Sequence, residues 1–396
     1  MIKGYKVELD LNNKQRTLCA KHAGTARFAY NWGLARHISE FKAGRKTPTA
    51  IDLHKELNAL KKTELSWMYE VSKCAPQEAL RNLDKAFANF FRRVKEKKGG
   101  NGGTANRVCG KFTGKVGFPE FKSKKLGKGS FRLTGSISVK KDKIKLPRLG
   151  WLRLKEKGYI PTEGIKILSV TVSEKAGHWF VSVQVEQVGA CLCASPVEKA
   201  AGSPIGVDLG IKKMAVCSNG TEIENPKALC AALRKLRRFQ RELSRRKKGG
   251  KNREKSRRKV AMLHYRIANI RSDAIHKATS SIVAKTKPQD KRPSVVVIED
   301  LSVSGLLKNH KLARAISDVG FFEFRRQLTY KTAWNGETLL VADRFFPSSK
   351  LCSACGAIND KLTLSMREWT CDCGISHDRD RNAAINLSRL AFSPTL

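Results

Sequence analysis

Two apolar runs in the second half of the chain each carry an acidic residue at a position suited to a buried β-strand. Asp208 lies in the run Ile-Gly-Val-Asp-Leu-Gly at 205–210, and Glu299 ends the run Val-Val-Val-Ile-Glu at 295–299. A carboxylate inside a buried strand costs much free energy unless it is paired or bound to a metal ion. The two runs therefore predict two neighbouring strands that present their acids to one site.

A third acid lies at the start of a predicted helix. Asp380 opens the segment Asp-Arg-Asn-Ala-Ala-Ile-Asn-Leu, in which Ala383 and Ala384 are small enough to allow close packing on a sheet. A helix N-terminus stabilises a carboxylate. Three acids without a histidine favour Mg²⁺, which prefers oxygen ligands. Two such ions can stabilise the attacking and leaving oxygens of a phosphodiester displacement. We predict that Asp208, Glu299 and Asp380 bind two Mg²⁺ ions.

Two further acids lie next to these three in the sequence. We interpret Asp378 as a helix cap or as a group behind the metal ligands, and we expect Asp300 to point to the other side of its strand. A single acid at a strand end is often an ordinary cap or turn residue. The hypothesis therefore depends on three acids at the right elements in the right order.

Two close cysteine pairs indicate a metal-binding module at 347–375. The first pair has the spacing C-x-x-C, the second has the tighter spacing C-x-C, and fifteen residues separate them. Four thiolates at this spacing favour a structural zinc ion, because four protein ligands leave no open position for catalysis. The predicted zinc ligands are Cys352, Cys355, Cys371 and Cys373. Another C-x-C, formed by Cys191 and Cys193, has no second pair nearby, and we interpret the two cysteines as linker or packing residues.

Residues 234–259 form a dense basic stretch. Fifteen of these 26 residues are Lys or Arg, opposed only by Glu242 and Glu254. Several recur at helical spacing and favour contact with nucleic-acid phosphates, the alternative being a solvated surface helix. The glycines at 249–250 predict a break between two antiparallel helices. The predicted nucleic-acid contacts are Arg234, Arg238, Arg241, Arg245, Arg246, Lys247 and Lys248.

The positive charge extends to the whole chain. The 396 residues carry a formal net charge of +43, yet 41% of them are hydrophobic, which is sufficient for folded cores. A compact protein with this charge repels itself unless a polyanion is bound, so we predict a nucleic-acid partner; ribosomal-type RNA binding and simple solubility are the alternatives. The sequence contains no apolar signal core and no run of 18 apolar residues, so we expect neither secretion nor a membrane span. The eleven cysteines are then expected to be thiols or metal ligands.

The first half of the chain predicts a helical segment followed by short strands. Residues 1–10 alternate in polarity like a strand, 14–95 show helical periodicity, and the glycine-rich segment 97–111 is predicted to be a flexible loop. Short strands separated by turn residues suit a small β-barrel. They are predicted at 131–133, 137–139, 143–146, 150–154, 167–172 and 178–186.

The second half shows a different order of elements. Strands predicted within 205–225 come first, a long basic helical region follows at 226–286, and further strands then alternate with helices. This order is typical of an RNase H-like domain.

Taken together, seven motifs distributed over nearly the whole chain resemble the TnpB (OrfB) family of transposon-associated proteins, which are similar in architecture to small type V CRISPR effectors. The motifs are Thr25-Ala-Arg-Phe-Ala-Tyr-Asn-Trp, Lys115-Val-Gly-Phe-Pro-Glu-Phe-Lys, Gly206-Val-Asp-Leu-Gly-Ile-Lys, Leu243-Ser-Arg-Arg-Lys-Lys-Gly, Ile298-Glu-Asp-Leu, Phe346-Pro-Ser-Ser-Lys-Leu-Cys-Ser-Ala-Cys-Gly and His377-Asp-Arg-Asp-Arg-Asn-Ala-Ala.

The resemblance implies an α+β multidomain fold. It comprises a β-barrel wedge domain interrupted by a helical recognition domain, followed by an RNase H-like, RuvC-type α/β nuclease domain with an inserted zinc module. The implied boundaries are 1–12 and 112–190 for the wedge domain, 13–111 for the recognition domain, 191–204 for a linker, 205–396 for the nuclease domain and 347–375 for the zinc module.

The resemblance also implies an activity and its partners. The expected partners are a guide RNA transcribed from the transposon end and a target DNA that is cut on both strands, next to a short motif, in a Mg²⁺-dependent reaction. Asp208, Glu299 and Asp380 take the catalytic roles in this comparison. We expect a monomer with one RNA in the cytoplasm of a bacterium or archaeon, associated with the nucleoid when bound.

Two alternatives stay open at this point. One is a nucleic-acid-binding regulator, guided or unguided, that does not cleave, and the other is a DNA transposase that joins strands. The presence of all three acids favours a nuclease over the regulator, and the zinc module disfavours the transposase.

Overall fold

The computed structural model describes residues 2–98, 117–124, 129–187, 200–284, 286, 288, 291–363 and 366–392. The chain forms two compact units, Met1–Cys191 and Leu192–Leu396. Most of the predicted glycine-rich loop at 97–111, and both Cys191 and Cys193, lie outside the described residues. Within the described part of the chain, no helix is long and apolar enough to cross a membrane.

The first unit begins with one strand and a group of helices. Their N-termini are encoded locally, since α1 and α2 both start with a capping box, in which Asn12 pairs with Gln15 and Thr49 pairs with Asp52. The elements are β1 Ile2–Asp10, α1 Asn13–Lys42, α2 Ala50–Leu60, a 3₁₀ helix Ser66–Glu70 and α3 Cys74–Lys98.

Six further strands complete this unit, and all six were predicted from the sequence. They are β2 Ser130–Leu133, β3 Ser138–Val139, β4 Lys143–Leu146, β5 Gly150–Leu154, β6 Ile165–Lys175 and β7 His178–Gln187. With β1 they form one seven-stranded sheet in the order β2-β6-β7-β1-β5-β4-β3. Among the described residues β2 and β3 are the two edges of this sheet, so closure into a barrel stays a prediction.

The core of the first unit lies between the sheet and the helices. Leu34 of α1 and both Leu80 and Leu83 of α3 are fully buried, and α1 comes so close to α3 that a Cβ on Gly33 would lie 2.8 Å from a Leu80 methyl group. The helical periodicity predicted for this segment therefore places these leucines in the core. Phe91, also on α3, is 57% exposed.

The second unit contains seven strands and six helices within its described residues. The strands are β8 Ile205–Asp208, β9 Lys213–Cys217, β10 Glu222–Glu224, β11 Val295–Glu299, β12 Thr338–Ala342, β13 Glu368–Thr370 and β14 Ser376–Asp378. The helices are α4 Ala228–Arg245, α5 Lys251–Ile282, α6 Val303–Leu306, α7 Ala313–Val319, α8 Phe321–Asn335 and α9 Arg379–Arg389.

Five of these strands form a mixed sheet in the order β10-β9-β8-β11-β12. The central strand β8 is parallel to β11, β11 is parallel to β12, and β9 is antiparallel to both of its neighbours. The strands β13 and β14 form a separate antiparallel pair.

Part of the segment that we predicted as a linker belongs to this unit. Gly202 donates a backbone hydrogen bond to Arg292 O at 2.8 Å and accepts one from Ser294 N at 2.9 Å, and it forms a parallel bridge with Pro293. The end of the predicted linker is therefore paired within the second unit. The sequence Gly-Ser-Pro at 202–204 is typical of a turn. Its pairing with residues ninety positions later in the chain produces no local sequence pattern from which a strand could be predicted.

The basic stretch folds as predicted into two antiparallel helices. The helix α4 ends at Arg245 and α5 begins at Lys251, with Leu236 and Leu263 in the small core between them. Glu242 links the helices by accepting from Ser256 Oγ at 2.8 Å. We refer to α4 and α5 as the basic hairpin.

The helix α9 packs on β8 with backbone against backbone. A Cβ on Gly206 would lie 2.0 Å from Ala384 O and 2.4 Å from Ser388 N. Ala383 and Ala384 are completely buried in this contact, which confirms the close packing predicted from their size. Only glycine fits at position 206 at this distance.

We expect Gly206→Ala to destabilise the second unit by about 3 kcal/mol, because the added methyl group must push the α9 backbone away from β8. Urea unfolding measures this change. Gly4→Ala is the control, since a Cβ at Gly4 meets no heavy atom within 4 Å, and its stability should be unchanged or slightly higher. Equal effects of the two substitutions would contradict the tight fit at Gly206.

Candidate functional site

The three predicted acids meet at one edge of the five-stranded sheet. Asp208 ends β8 and Glu299 ends β11. The two strands are parallel, with Ile298 opposite Val207, so both acids emerge at the same edge. Asp380 lies in the first turn of α9, the helix that packs on β8.

The electrostatics of Asp208 show that the acids are close enough to interact. Burial raises the pKa of Asp208 well above its usual range, and the negative charges of Glu299 and Asp380 raise it further, against weaker opposing effects of Arg379 and Arg367. A cation beside Asp208 would stabilise its charged form. Carboxylate oxygens are the ligands that Mg²⁺ prefers.

The two neighbouring acids have other roles. Asp300 binds Arg325 Nη1 at 2.7 Å and Arg344 Nη2 at 2.5 Å; burial raises its pKa, but these two hydrogen bonds lower it overall. Asp378 is the N-cap of α9 and accepts from Arg381 N at 2.9 Å. The structure thus places Asp300 in a separate ion pair and confirms Asp378 as a cap.

Two residues of this site were not singled out from the sequence. The Ser348 hydroxyl donates to Glu299 Oε1, and Arg367 Nη1 lies 3.0 Å and 3.2 Å from the two carboxylate oxygens of Asp380. Ser348 lies inside the motif Phe346–Gly356, but a serine in a turn has no distinctive pattern. Arg367 precedes β13 and carries no local signal either.

The four predicted cysteines come together in a cluster. Their sulfur atoms all lie within 4.8 Å of one another. The Sγ atoms of Cys352 and Cys373 are 3.8 Å apart, and those of Cys355 and Cys371 are 3.6 Å apart. Tetrahedral zinc with Zn–S bonds of about 2.3 Å requires sulfur separations of about 3.8 Å. The cluster therefore fits a structural zinc ion.

The pKa values of the cysteine thiols also favour a bound zinc ion. Burial raises the pKa of Cys352, but backbone N–H groups of Cys355 and Ala354, together with His377, lower it to about 5 overall. For Cys371 the backbone N–H of Cys373 lowers the pKa, but burial and the neighbouring cysteine sulfurs raise it to about 12. Four sulfurs this close cannot all be thiolates without a cation between them.

Two asparagines of α9 connect the cysteine cluster to the sheet. Asn382 and Asn386 are each 1% exposed, and their amide nitrogens donate to Leu351 O at 2.7 Å and 2.6 Å. Asn386 also donates to Ser348 O at 2.8 Å, and Asn382 Oδ1 accepts from Ser353 N at 2.9 Å. The same helix therefore supports Asp380 and the turn that leads into the cluster.

The predicted nucleic-acid contacts lie on the basic hairpin and the turn after α4. All seven are solvent-exposed. The side chains of Arg238, Arg241, Arg245 and Arg246 line a groove with Glu242. An exposed groove lined by guanidinium groups suits an anionic backbone.

The second unit is a mixed α/β fold in which three acids lie at one sheet edge and four cysteines form a cluster that fits zinc. Three family profiles match the chain. Residues 1–46 match a "Helix-turn-helix domain" of OrfB proteins, 170–310 match the OrfB profile described as "Probable transposase", and 321–387 match the "Cas12f1-like, TNB domain".

Full-length relatives agree with these profiles. The chain is 38% identical over 395 residues to a Streptomyces pristinaespiralis protein named "Putative RNA-guided DNA endonuclease", covering 97% of this chain and 88% of the relative. It is 31% identical over 405 residues to "Putative RNA-guided DNA endonuclease InsQ" of Escherichia coli K12, covering 98% and 91%. The chain belongs to the TnpB (OrfB) family.

A solved structure shares the fold. The protein chain in the cryo-EM structure of a Cas12f1–sgRNA–target DNA complex superposes with a TM-score of 0.53 at 13% sequence identity, over 98% of both chains. At this identity the likeness concerns the fold alone. It supports the predicted similarity in architecture to compact CRISPR effectors.

We expect Cys371→Ser to lower the zinc content from about one ion per chain to near zero, because three remaining thiolates bind zinc much more weakly. Elemental analysis of the purified protein measures this change. Cys230→Ser, which removes an exposed cysteine outside the cluster, is the control and should keep its zinc. Full zinc content in Cys371→Ser would contradict the assignment.

Proposed function

We propose that this protein is an RNA-guided DNA endonuclease that hydrolyses phosphodiester bonds at Asp208, Glu299 and Asp380. The observation that carries this proposal is the convergence of the three acids at one sheet edge, where burial and the charges of Glu299 and Asp380 raise the pKa of Asp208. Two relatives that match nearly the whole chain are named as RNA-guided DNA endonucleases.

The three carboxylates would hold two Mg²⁺ ions. Bound there, the ions would supply Lewis acids for the phosphate and lower the pKa of a water molecule. The water oxygen then forms a bond to phosphorus while the bond from phosphorus to the leaving sugar oxygen breaks, and that oxygen takes a proton. The rigid strand ends and the first turn of α9 hold the carboxylates in place during this exchange.

The topology of the second unit supports its proposed domain assignment. When its strands are numbered in chain order, they lie side by side across the sheet in the order third, second, first, fourth and fifth. The first, fourth and fifth strands are parallel. This arrangement supports an RNase H-like, RuvC-type nuclease domain at 205–396. Within it the cysteine cluster at 347–375 would be the zinc module. In the first unit the seven-stranded sheet would be the wedge domain, and α1–α3 would belong to the recognition domain.

The charge of the chain supports the proposed partners. A net charge of +43 and the exposed cations of the basic hairpin would hold a guide RNA from the transposon end, and its duplex with target DNA, by backbone shape and charge. Recognition of a short motif beside the target, sequential cutting of both strands and a monomer with one RNA are parts of the same proposal.

We expect Asp208→Asn to abolish cleavage while RNA and DNA binding persist, because the substitution keeps the size of the side chain and removes one metal-binding charge. The measurement is Mg²⁺-dependent linearisation of a plasmid that carries a target matched to the guide. The protein is purified with the RNA formed during co-expression with its flanking element DNA, and gel-shift titration follows binding.

Asp300→Asn is the matched control, since Asp300 is adjacent to Glu299 but is paired with Arg325 and Arg344. It should cleave at a rate close to that of the wild type. Cleavage by Asp208→Asn at the wild-type rate would overturn the proposed site. Guided binding by the wild type without any cut would favour a regulator, and joined strands instead of free ends would favour a transposase.

We expect the triple substitution of Arg238, Arg241 and Arg245 by Gln to weaken RNA binding at all sequences and to reduce the slope of log Kobs against log salt by about 2–3, since each lost phosphate contact removes about 0.7–0.9 from the slope. Lys277→Gln, at a 78% exposed side chain near the C-terminal end of α5 and outside the basic stretch 234–259, is the control. An unchanged slope in the triple variant would exclude these three arginines from phosphate contact.

A further inference from the structure

We propose that Ser348 is a positioning residue that holds the carboxylate of Glu299 toward the other two acids and connects it to the cysteine cluster. This inference rests on the proposed function of the three acids. It assigns a role to a side chain that the proposed hydrolysis does not itself use.

The hydroxyl of the buried Ser348 forms a hydrogen bond with Glu299. Ser348 is 3% exposed, and its Oγ donates to Glu299 Oε1. A hydroxyl has one proton to donate, so this contact engages one carboxylate oxygen and leaves Oε2 available to a metal ion. Hydrogen bonds of this kind behind a ligand fix its orientation.

Glu299 benefits from such a restraint because its side chain is flexible. A glutamate has three rotatable side-chain bonds, and its carboxylate can turn away from the sheet edge. The hydrogen bond from the Ser348 hydroxyl to Glu299 Oε1 opposes that rotation.

The backbone of Ser348 is itself held from two sides. Ser348 N donates to Phe346 O at 2.8 Å, and Asn386 of α9 donates to Ser348 O at 2.8 Å. The position of the hydroxyl is therefore set by the turn and by α9.

The same turn leads directly into the cluster. Leu351 N donates to Pro347 O at 3.0 Å, Leu351 O accepts from both asparagines of α9, and the next residue is the fully buried Cys352. Three residues therefore separate Ser348, whose hydroxyl orients Glu299, from Cys352 of the cluster. The zinc module would contribute to the carboxylate site through this turn.

The test is Mn²⁺ binding followed by electron paramagnetic resonance, together with the Mg²⁺ dependence of plasmid cleavage. Ser348→Ala should weaken Mn²⁺ binding by about 10-fold or more, raise the Mg²⁺ concentration for half-maximal cleavage by a similar factor, and recover much of its rate at saturating Mg²⁺. Ser348→Thr keeps the hydroxyl and should restore most of the affinity.

Ser349→Ala is the matched control, since it removes the adjacent hydroxyl from the same turn, and it should behave like the wild type. All variants should retain one zinc ion per chain. Mn²⁺ affinity in Ser348→Ala equal to that of the wild type would overturn the role of Ser348. Loss of zinc from Ser348→Ala would also overturn it, because the hydroxyl would then support the cluster instead of Glu299.

The outcomes of this experiment distinguish the proposed function from the role of Ser348. A wild-type protein that neither binds Mn²⁺ nor cleaves DNA would overturn the carboxylate site, and the role of Ser348 with it. A wild type that does both, beside an unchanged Ser348→Ala, would leave the nuclease intact and remove only the positioning role.

Discussion

The contact between α9 and Gly206 is the constraint on which the second unit depends. Because glycine has no side chain, the α9 backbone lies directly on β8, with the place of a Cβ 2.0 Å from Ala384 O. This distance brings Asp380 to the end of the strand that carries Asp208. It also places Asn382 and Asn386 where they bind the turn before Cys352. One backbone contact thus aligns the acids and the cysteine cluster.

The same electrostatic effect acts among the three acids and among the four cysteines. In each, groups of like charge are held closer than they would remain in water, so that at least one member resists ionisation: Asp208 among the acids and Cys371 among the thiols. The fold supplies the energy for this arrangement through apolar packing, since β8 and β11 lie in a buried core. A cation would relieve each repulsion: the proposed Mg²⁺ ions suit the carboxylate oxygens, and a zinc ion suits the thiolate sulfurs.

The basic hairpin is attached to that core by a buried acid. Asp318 is 6% exposed and accepts from Leu229 N at 2.9 Å at the start of α4, and it pairs with Arg271 of α5 at 2.7 Å. A carboxylate at a helix N-terminus satisfies backbone donors that the helix itself leaves free. The cationic surface proposed for RNA is therefore anchored at one end, and its exposed arginines extend from a fixed base.

The sequence by itself determined the features that are encoded locally: the apolar strands that end in Asp208 and Glu299, the spacing of the four cysteines, the break in the basic helices, and the six short strands of the first unit. Periodicity and ligand spacing carry this information within a few residues. Only the tertiary structure decided the pairing of Gly202 with a segment ninety residues away, the order of the seven strands, the exposure of Phe91, and the contacts of Ser348 and Arg367 with the acids. These depend on which distant elements pack together, and a serine or an arginine in a turn has the same local pattern whether it faces a carboxylate or water.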